Sequence, residues 1–496
     1  MEVPTLASFN LEAVLPILVL AGWAILILSV DLFIPRKHKA WTAWLTLLGL
    51  SATGVLLALQ ALGLLGPVLP TESFHGMLVI DGFALFLQGV VLVAAILGVL
   101  LAVNYLPRRG IERGEYHTLI MFSSLGMMIM SMASDLIVVF IALEMLSIPL
   151  YILSGFAHPE ASSEEAAMKY FLLGAFASGF LVYGVALTYG GTGTTALSGI
   201  VDTLQGQVLN LPLALIGMGM IFVGLAFKVA AVPFHMWTPD VYQGAPTSVV
   251  AFMSVGAKVG GFAAMLRVLI TALPMASAEW GTVVTVVAVL TMIIGNVVAI
   301  SQSDIKRMLA YSSIAHAGYI LLAVAAAQAP EVTQQAVTAA AFYLLAYAFT
   351  NIGAFAVVIA LEKDDGSGTR IEDFSGLSRS RPFLAAAMLL FMFSLTGMPP
   401  SAGMVGKWFV FQAAVNASAG NPLLLAATIV GVLTSVISAF YYVRVILTMY
   451  MREGTTEAQV KPALMAALVI AVVVTFLAGI IPSPLYEMAQ QALLRL

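Results

Sequence analysis

Four charged residues lie near the middle of strongly apolar segments: Glu144, Lys228, Lys258 and Lys407. A charged side chain at the centre of a lipid bilayer costs roughly 2.5–3.5 kcal/mol on insertion scales. Amines and carboxyls buried there can take up and release protons, because burial favours the neutral form and a nearby opposite charge favours the ionised form. Several such residues in one chain therefore predict that it moves protons or other ions through a membrane.

Two of the lysines lie beside sequences that break a helix. Lys228 stands in GLAFKVAAVPFHMWTPD, and Lys407 follows two prolines in LTGMPPSAGMVGKWF. A proline within a helix removes a backbone donor and leaves carbonyl groups that need water or polar partners. We therefore expect hydrated sites at both breaks, as in transporters whose binding sites are formed by interrupted helices.

Glu144 is expected either to carry protons itself or to control whether Lys228 keeps its proton. It follows Asp135 by nine residues, about 13–14 Å along a helix, which places it near mid-membrane. Two structural explanations stay open. Glu144 could serve packing specificity through a hydrogen bond, and Lys228 could extend its amine to a membrane surface. The cost of inserting the charges favours the functional explanation.

Lys258 and two histidines are expected to extend the proton path. Lys258 lies among small residues that permit close helix packing or leave space for water. His316 belongs to an unusually polar strip, and an unperturbed histidine titrates near neutral pH. Alternatively, His316 only hydrogen-bonds a neighbour, and His235 only shapes the helix break that it follows. The polar strip also contains Tyr311, Ser312, Ser313 and Tyr319.

Charges near the ends of the apolar segments have simpler explanations. Arg267 is expected to anchor the outer end of its segment at the membrane interface. Lys306 is expected to mark the cytoplasmic boundary of its segment. Lys169 is expected to pair with Glu165, which lies one helical turn before it.

The composition is that of an all-α membrane protein with many spans. Of 496 residues, 61% are hydrophobic and only 9% are charged, whereas soluble domains carry about 25% charged residues. At about 20 apolar residues per span, the chain divides into about fourteen helices. Membrane β-strands alternate apolar and polar residues, and these uninterrupted apolar runs exclude them. The predicted segments are 12–33, 41–66, 78–104, 115–133, 135–157, 166–190, 210–232, 246–272, 280–300, 307–328, 335–361, 383–414 (broken), 421–450 and 462–482.

The sequence offers no site for a redox cofactor. It contains no cysteine, which excludes disulfides, thiolate-held iron–sulfur clusters and cysteine-based zinc sites within the chain. Neither GxGxxG nor GxxxxGK[ST] occurs, and the six histidines lack metal-ligand spacing. We therefore expect no cofactor and no metal in this chain, no nucleic-acid partner, and redox chemistry only in a partner chain.

Lysine and arginine occupy alternate loops, which predicts the orientation of the chain. Positive residues favour the cytoplasmic side of a membrane, so both termini are predicted on the outer, periplasmic face. The basic loops contain Arg36, Lys37, Lys39, Arg108, Arg109, Arg113, Lys306, Arg307, Lys363, Arg370, Arg379, Arg381, Arg452 and Lys461.

An internal repeat is predicted from the two helix breaks, because each falls in the fourth span of a five-span set. An odd number of spans makes the two copies insert with opposite orientations. The longest polar stretches, 191–210 and 362–382, are predicted as an outer loop and a cytoplasmic loop with a short amphipathic turn around Ile371–Leu377. The predicted parts are 1–114 (helices 1–3), 115–272 (first repeat), 273–450 (second, inverted repeat) and 451–496 (helix 14).

Three stretches together resemble the antiporter-like membrane subunits of respiratory complex I, NADH:quinone oxidoreductase. They are FKVAAVPFHMWTPDVYQGAPTSVVAFMSVGAKVGGFA at 227–263, SQSDIKRMLAYSSIAHAGY at 301–319 and LTGMPPSAGMVGKWFVF at 395–411. The resemblance covers nearly the whole chain. It implies fourteen core helices, two inverted five-helix repeats and a charged axis along the membrane midplane. By position it assigns Glu144, Lys228, Lys258 and Lys407 to that axis, and a lysine at 407 fits the N-type subunit.

The resemblance also implies partners and a location. Quinone, FMN and iron–sulfur clusters are expected in partner subunits, whose quinone reduction supplies the energy. Two further antiporter-like subunits and lipids are expected as neighbours, in a bacterial inner membrane. Either this subunit would release protons itself, or it would only relay charge along the membrane part of the complex.

Two other functions share parts of this pattern. A subunit of a multi-subunit cation/proton antiporter or of a membrane-bound hydrogenase would have the same core and charged axis. It would be distinguished by sodium-dependent transport without a redox partner. A passive scaffold would keep full turnover when the buried charges are neutralised, and it has no reason to bear their insertion cost.

Overall fold

The computed structural model describes residues 9–206, 208–455 and 457–494. Apart from one small hairpin, the regular structure of these residues is helical. The N-terminal part consists of α1 (Leu15–Asp31), α2 (Ala40–Ala61), the antiparallel strands β1 (Thr71–Ser73) and β2 (Leu78–Ile80), and α3 (Gly82–Arg108).

Two groups of helices follow, and each contains one interrupted span. The first group comprises α4 (Glu115–Met132), α5 (Leu136–Ser154), α6 (Ala161–Thr192), α7 (Leu197–Gln205), α8 (Leu211–Lys228), α9 (Trp237–Gly244) and α10 (Thr247–Arg267). The second comprises α11 (Ser277–Ile300), α12 (Ile305–Ala326), α13 (Thr333–Leu361), α14 (Leu377–Ser380), α15 (Pro382–Thr396), α16 (Ala402–Asn416) and α17 (Pro422–Met451). The chain continues with α18 (Pro462–Ile480) and α19 (Ser483–Gln490).

Twelve helices in the described residues are long and apolar enough to cross a membrane. They account for twelve of the segments predicted from the sequence. The other two are α4, which begins with the polar residues Glu115 and His117, and the interrupted pair α15 and α16, with 15 residues each. The all-helical membrane class is thus confirmed.

Polar side chains set the starts of several helices by accepting hydrogen bonds from backbone N–H groups that have no partner within the helix. The helices that start with such a cap are α3, α5, α8, α12, α16 and α17, capped by Asp81, Asp135, Asn210, Asp304, Ser401 and Asn421.

The end of α15 depends on a glycine. Gly397 has a φ of 91°, a conformation that a residue with a Cβ atom rarely adopts.

Three helices form the centre of the molecule. The most apolar stretch of α10 and that of α13 are completely buried, and that of α12 is almost completely buried. Helices at the periphery, such as α6 and α17, have only a third of their most apolar stretch buried. Polar residues on the central helices therefore meet other protein groups rather than lipid, which lowers the cost of keeping them in the membrane.

Both predicted helix breaks are present. α8 ends at Lys228, the chain runs without helix past Pro233, and helical structure resumes at Trp237. α15 ends at Thr396, and α16 begins at Ala402 after two prolines. These breaks leave backbone carbonyls at the ends of α8 and α15 for other groups to bind.

Arg267 is not the interfacial anchor that the sequence suggested. It is 2% exposed, and its guanidinium forms two hydrogen bonds with the Asp81 carboxylate, at 3.0 and 2.9 Å. It also donates to the backbone oxygen of Ser131 at 3.1 and 2.9 Å. The expectation failed because position along a helix does not tell which side chains other helices bring to that level.

Two further expectations need correction. Lys306 is buried and donates to the backbone oxygen of Ala245 at 2.8 Å, so it is more than a boundary charge. The loop predicted at 191–210 contains helix α7, whose apolar side packs against the protein. Lys169 pairs with Glu165 at 2.7 Å as expected, and it also binds Asp240 at 2.7 Å.

The two ends of the described chain lie on one face. Near the start, the backbone oxygen of Phe9 accepts a hydrogen bond from Ser73 in β1. Near the end, the backbone oxygen of Leu493 accepts one from Phe83 N at the start of α3. β1 lies in the connection between α2 and α3, and Phe83 lies in the first turn of α3 directly after it, so both ends contact the same part of the molecule.

Candidate functional site

Lys228 is buried among neutral hydroxyl groups. Its amine donates hydrogen bonds to Ser147 Oγ in α5 at 2.7 Å and to Tyr170 Oη in α6 at 3.3 Å. The amine nitrogen also lies 5.4 Å from the centre of the Tyr170 ring. The side chain therefore points into the protein and does not reach for a membrane surface.

Glu144 lies in α5, one turn before Ser147, and is half-buried. Its carboxylate accepts a hydrogen bond from the hydroxyl of Ser178 in α6. In the described part of the chain it forms no ion pair with Lys228, but it lies close enough to act on that amine electrostatically. Glu144 and Lys228 thus belong to one site without direct contact.

A small cavity lies beside Lys228 and beside Ser178, the serine that binds Glu144. Ser147, Ser178 and Lys228 are among its lining residues, and its volume is about 10 Å³. That is close to the smallest space, roughly 10–15 Å³, that holds one water molecule. Since both serines and the Lys228 amine line it, a single water there would connect the hydroxyl bound to Glu144 with the hydroxyl bound to Lys228.

Lys258 is joined to the Lys228 site through the backbone. Its amine donates a hydrogen bond to the oxygen of Val229 at 3.0 Å. Val229 directly follows Lys228, and its carbonyl is one of those left free where α8 ends. The helices approach closely here because of Gly261, where an added Cβ atom would lie 2.7 Å from the Val229 side chain.

His316 is held between two tyrosines. Its Nδ1 lies 2.6 Å from Tyr343 Oη in α13, and its Nε2 lies 3.2 Å from Tyr442 Oη in α17. The Tyr442 hydroxyl is also hydrogen-bonded to that of Ser312. A histidine with a hydroxyl at each ring nitrogen can receive a proton on one side and release one on the other.

Lys407 closes the end of α15. Its amine donates to the backbone oxygens of Leu395 and Thr396, both at 2.9 Å, and to Ser435 Oγ at 2.7 Å. A cation is favoured there, because the free carbonyls at the end of a helix carry partial negative charge. Lys258 has the corresponding arrangement at the end of α8.

Tyr319 connects His316 with Lys407. The Tyr319 and His316 rings have centroids 5.7 Å apart, and the Lys407 amine lies 4.6 Å from the centre of the Tyr319 ring. The structure thus groups five of the six predicted residues into two clusters, one of Glu144, Lys228 and Lys258 and one of His316 and Lys407.

His235 is the exception among the predicted residues. It is half-exposed within the break between α8 and α9, and its Nδ1 has no hydrogen-bond partner among the described residues. In that part of the chain no hydrogen bond joins it to the other five. Its position fits a residue that shapes the break better than one within the buried clusters.

The hydroxyl groups that bind the charged residues were not predicted. A serine or tyrosine within a continuous apolar segment does not stand out, and only the packing of the helices shows which one faces an amine. The missed residues are Ser147, Tyr170, Ser178, Tyr343, Ser435 and Tyr442.

The sequence of this chain is similar to a known protein family and to individual members of it. Residues 133–438 match the family described as NADH:quinone oxidoreductase/Mrp antiporter, TM. The chain is similar to NADH-quinone oxidoreductase subunit N of Trichlorobacter lovleyi, with 44% identity over 490 residues, 98% of this chain and 97% of that protein. The protein of the same description from Chloroflexus aggregans is 45% identical over 499 residues, 99% of each chain.

Solved structures share the fold. A chain of respiratory complex I from Thermus thermophilus with bound aureothin has a TM-score of 0.79 and 34% identity, covering 96% of this chain and 99% of that one. A chain of the archaeal membrane-bound sulfane sulfur reductase has a TM-score of 0.83 and 26% identity, covering 97% and 96%. A chain of the Mrp complex from Dietzia matches with a TM-score of 0.77 at 22% identity, a likeness of fold alone.

Proposed function

The chain belongs to the family of NADH-quinone oxidoreductase subunit N, and we propose that its two buried clusters form the proton path of this subunit. It is a proton-pumping membrane-arm subunit of respiratory complex I. The path runs from Lys228 through Lys258 and the His316 region to Lys407. The enzyme's redox chemistry belongs to other subunits, where quinone, FMN and iron–sulfur clusters are expected.

One observation carries this proposal: the buried basic groups are linked in pairs. Lys258 binds the carbonyl directly after Lys228, and Tyr319 contacts both His316 and Lys407. Each amine is held by neutral acceptors, so it can exist with or without its extra proton without breaking an ion pair. A proton added at one member of a pair repels a proton on the other, which gives the path its coupling.

Glu144 supplies the control of this path. Its negative charge acts on the Lys228 amine, and its hydrogen bond with Ser178 fixes it against the neighbouring helix α6. Ile141 and Ile148 on either side of it are 57% and 51% exposed, so this face of α5 is free to contact lipid or another subunit. We infer that a neighbouring antiporter-like subunit acts on Glu144 there and thereby changes the proton affinity of Lys228.

The chain is proposed to cross the membrane fourteen times, in two inverted five-helix repeats. The twelve long helices are joined by α4 and by the interrupted pair α15–α16. Two similarities support the repeats: α4 packs on α5 as α11 packs on α12, and the interrupted spans pack on α6 and α13 in the same order. The proposed division is 1–114, 115–272, 273–450 and 451–496.

The alternative of a cation/proton antiporter or membrane-bound hydrogenase subunit rests on weaker similarity. The Mrp chain shares the fold at 22% identity, whereas subunit N relatives reach 44–45% over nearly their whole length. The alternative of a passive scaffold does not explain why the buried amines are arranged in pairs.

The first test replaces the controlling carboxylate. In Glu144→Gln we expect NADH-driven proton uptake by membrane vesicles to fall about five- to tenfold, at the lower end of the range for coupling between two sites, because the negative charge near the Lys228 amine is lost. Glu144→Asp should keep most of the uptake. The matched control is Glu165→Gln, which removes an exposed carboxylate of a surface pair. Full uptake per NADH by assembled Glu144→Gln complex would contradict the proposed control.

The second test concerns orientation. The proposed topology puts both ends on the periplasmic face of a bacterial inner membrane, opposite the loops rich in lysine and arginine. Alkaline phosphatase, which is active only outside the cytoplasm, should be active when fused to either end and inactive after Arg109. The contacts of the two ends with β1 and with the first turn of α3 support their placement on the same face. Cytoplasmic activity of a fluorescent reporter at both ends would show the topology to be inverted.

A further inference from the structure

A buried carboxylate lies far from both clusters, at the lysine- and arginine-rich face. Glu362 follows the last residue of α13 and is 3% exposed. Its Oε1 accepts a hydrogen bond from Tyr105 Oη at 2.9 Å and lies 3.7 Å from Arg109 Nε. Its Oε2 is buried without a hydrogen-bond partner among the described residues. The end of a helix disfavours an anion, so this position is costly and calls for an explanation.

Water from the cytoplasmic side can come close to Glu362. Tyr105, whose hydroxyl binds Glu362, forms part of the wall of a small cleft. Asn104 and the exposed residues Gln459 and Lys461 line the same cleft. The carboxylate thus stands one side chain away from a polar opening at the surface.

The buried amine of Lys306 is the next basic group near Glu362. The two lie within electrostatic reach of each other, together with Arg109, Glu160 and Asp304. The amine donates to the oxygen of Ala245 at 2.8 Å. Lys306 therefore connects the buried carboxylate of Glu362 with the end of α9.

Hydroxyl groups continue the path inward from the end of α9. Tyr242 lies three residues before Ala245, about 4.5 Å deeper along the helix, and is buried. Its hydroxyl and that of Tyr347 both lie next to Ser313. The oxygens of Ser313 and Tyr347 have no partner of normal hydrogen-bond geometry in the described residues. Buried hydroxyls nearly always have one, so ordered water is expected between them.

The path ends at the second cluster. Ser313 precedes His316 by three residues, which places both on one face of α12. The ring of Tyr347 lies 5.2 Å from that of His316. Lys306 lies on the same face, seven residues before Ser313, so α12 carries polar groups from the surface to the centre.

We propose that Glu362, Lys306, Tyr242, Ser313 and Tyr347 form a proton uptake route that reaches His316 without passing Lys228. A proton from water binds the free oxygen of Glu362 and passes to the Lys306 amine. Each hydroxyl then accepts a proton on its oxygen while releasing its own, and a ring nitrogen of His316 receives the last. Glu362 takes up the next proton, so every group returns to its starting form.

This route rests on the proposed function of the clusters, and its test uses the whole enzyme in membrane vesicles. Glu362→Gln and Tyr242→Phe should each lower NADH-driven proton uptake per assembled complex by about tenfold, below the range typical of a single positioned acid–base group because the Lys228 path remains. Glu362→Asp, which keeps a carboxyl group, should retain uptake. A purely structural Glu362 would instead lower the amount of assembled complex and leave Tyr242→Phe normal.

Two matched controls remove similar groups that lie off the route. Asp364→Asn deletes an exposed carboxylate two residues from Glu362, and Tyr116→Phe deletes a buried hydroxyl that binds Ser248 at 2.9 Å. Both should pump like the unmodified enzyme. Normal uptake by Glu362→Gln and Tyr242→Phe would overturn the route. If Lys407→Ala fails to pump in the same experiment, the proposed function stands and only the route is lost.

Discussion

Lys228→Ala is expected to reduce NADH-driven proton uptake to near background, a loss of about a hundredfold, because without the repulsion from a proton at Lys228 the protons that enter at Glu362 are not driven onward from His316. Within the described residues, the amine is the basic group that the structure places between the Glu144 site and the Val229 carbonyl bound by Lys258. Without it, neither the hydroxyl of Ser147 nor that of Tyr170 can hold an extra proton near neutral pH. The uptake is measured by dye quenching in inverted membrane vesicles, beside NADH oxidation.

Lys228→Arg separates proton transfer from fixed charge. A guanidinium keeps the positive charge but does not release its proton at any pH used with proteins, so this variant should also fail to pump. Lys363→Ala removes an exposed lysine and serves as the matched control. Pumping by assembled Lys228→Arg would show that only a positive charge is needed. Full pumping by assembled Lys228→Ala would remove Lys228 from the path.

The sequence predicted the long helices well because a membrane span produces a simple sequence pattern. A membrane span must satisfy its own backbone hydrogen bonds and be apolar on most sides, so an uninterrupted apolar run is almost sufficient to identify it. Prolines identified both breaks for an equally local reason. The short helices α7, α9 and α19 were missed, since each has eight or nine residues and is stabilised by packing rather than by its own composition.

The site was predicted only in part, because sequence shows the charges and hides their partners. Lys228, Lys258 and Lys407 stood out as costly residues in apolar surroundings. The groups that bind them are ordinary serines, tyrosines and backbone carbonyls, and these carry no mark in a sequence. The same limit explains the error at Lys306 and the unrecognised Glu362, since both lie near segment ends where exposed charges are common.

The division between the two kinds of buried charge has a physical basis. The lysines of the two clusters are held by neutral acceptors and can change protonation at small cost. Arg267 is held by a carboxylate and stays charged under all conditions. Pumping requires the first arrangement and a fixed fold requires the second, so the two should respond differently when one charge is removed.

Arg267→Ala is therefore expected to destabilise the subunit by about 3–5 kcal/mol, the usual effect of leaving one member of a buried pair without its partner. Arg267 joins α10 to the start of α3 through Asp81 and to the end of α4 through Ser131, so its loss should lower the yield and thermal inactivation temperature of the complex. The double variant Arg267→Met with Asp81→Asn, which removes both charges, should recover much of the stability. The exposed pair of Arg379 and Glu453, 3.7 Å apart, is the matched control, and Arg379→Ala should change stability by less than about 1 kcal/mol. A double variant as unstable as Arg267→Ala would show that packing, and not the ion pair, holds these helices together.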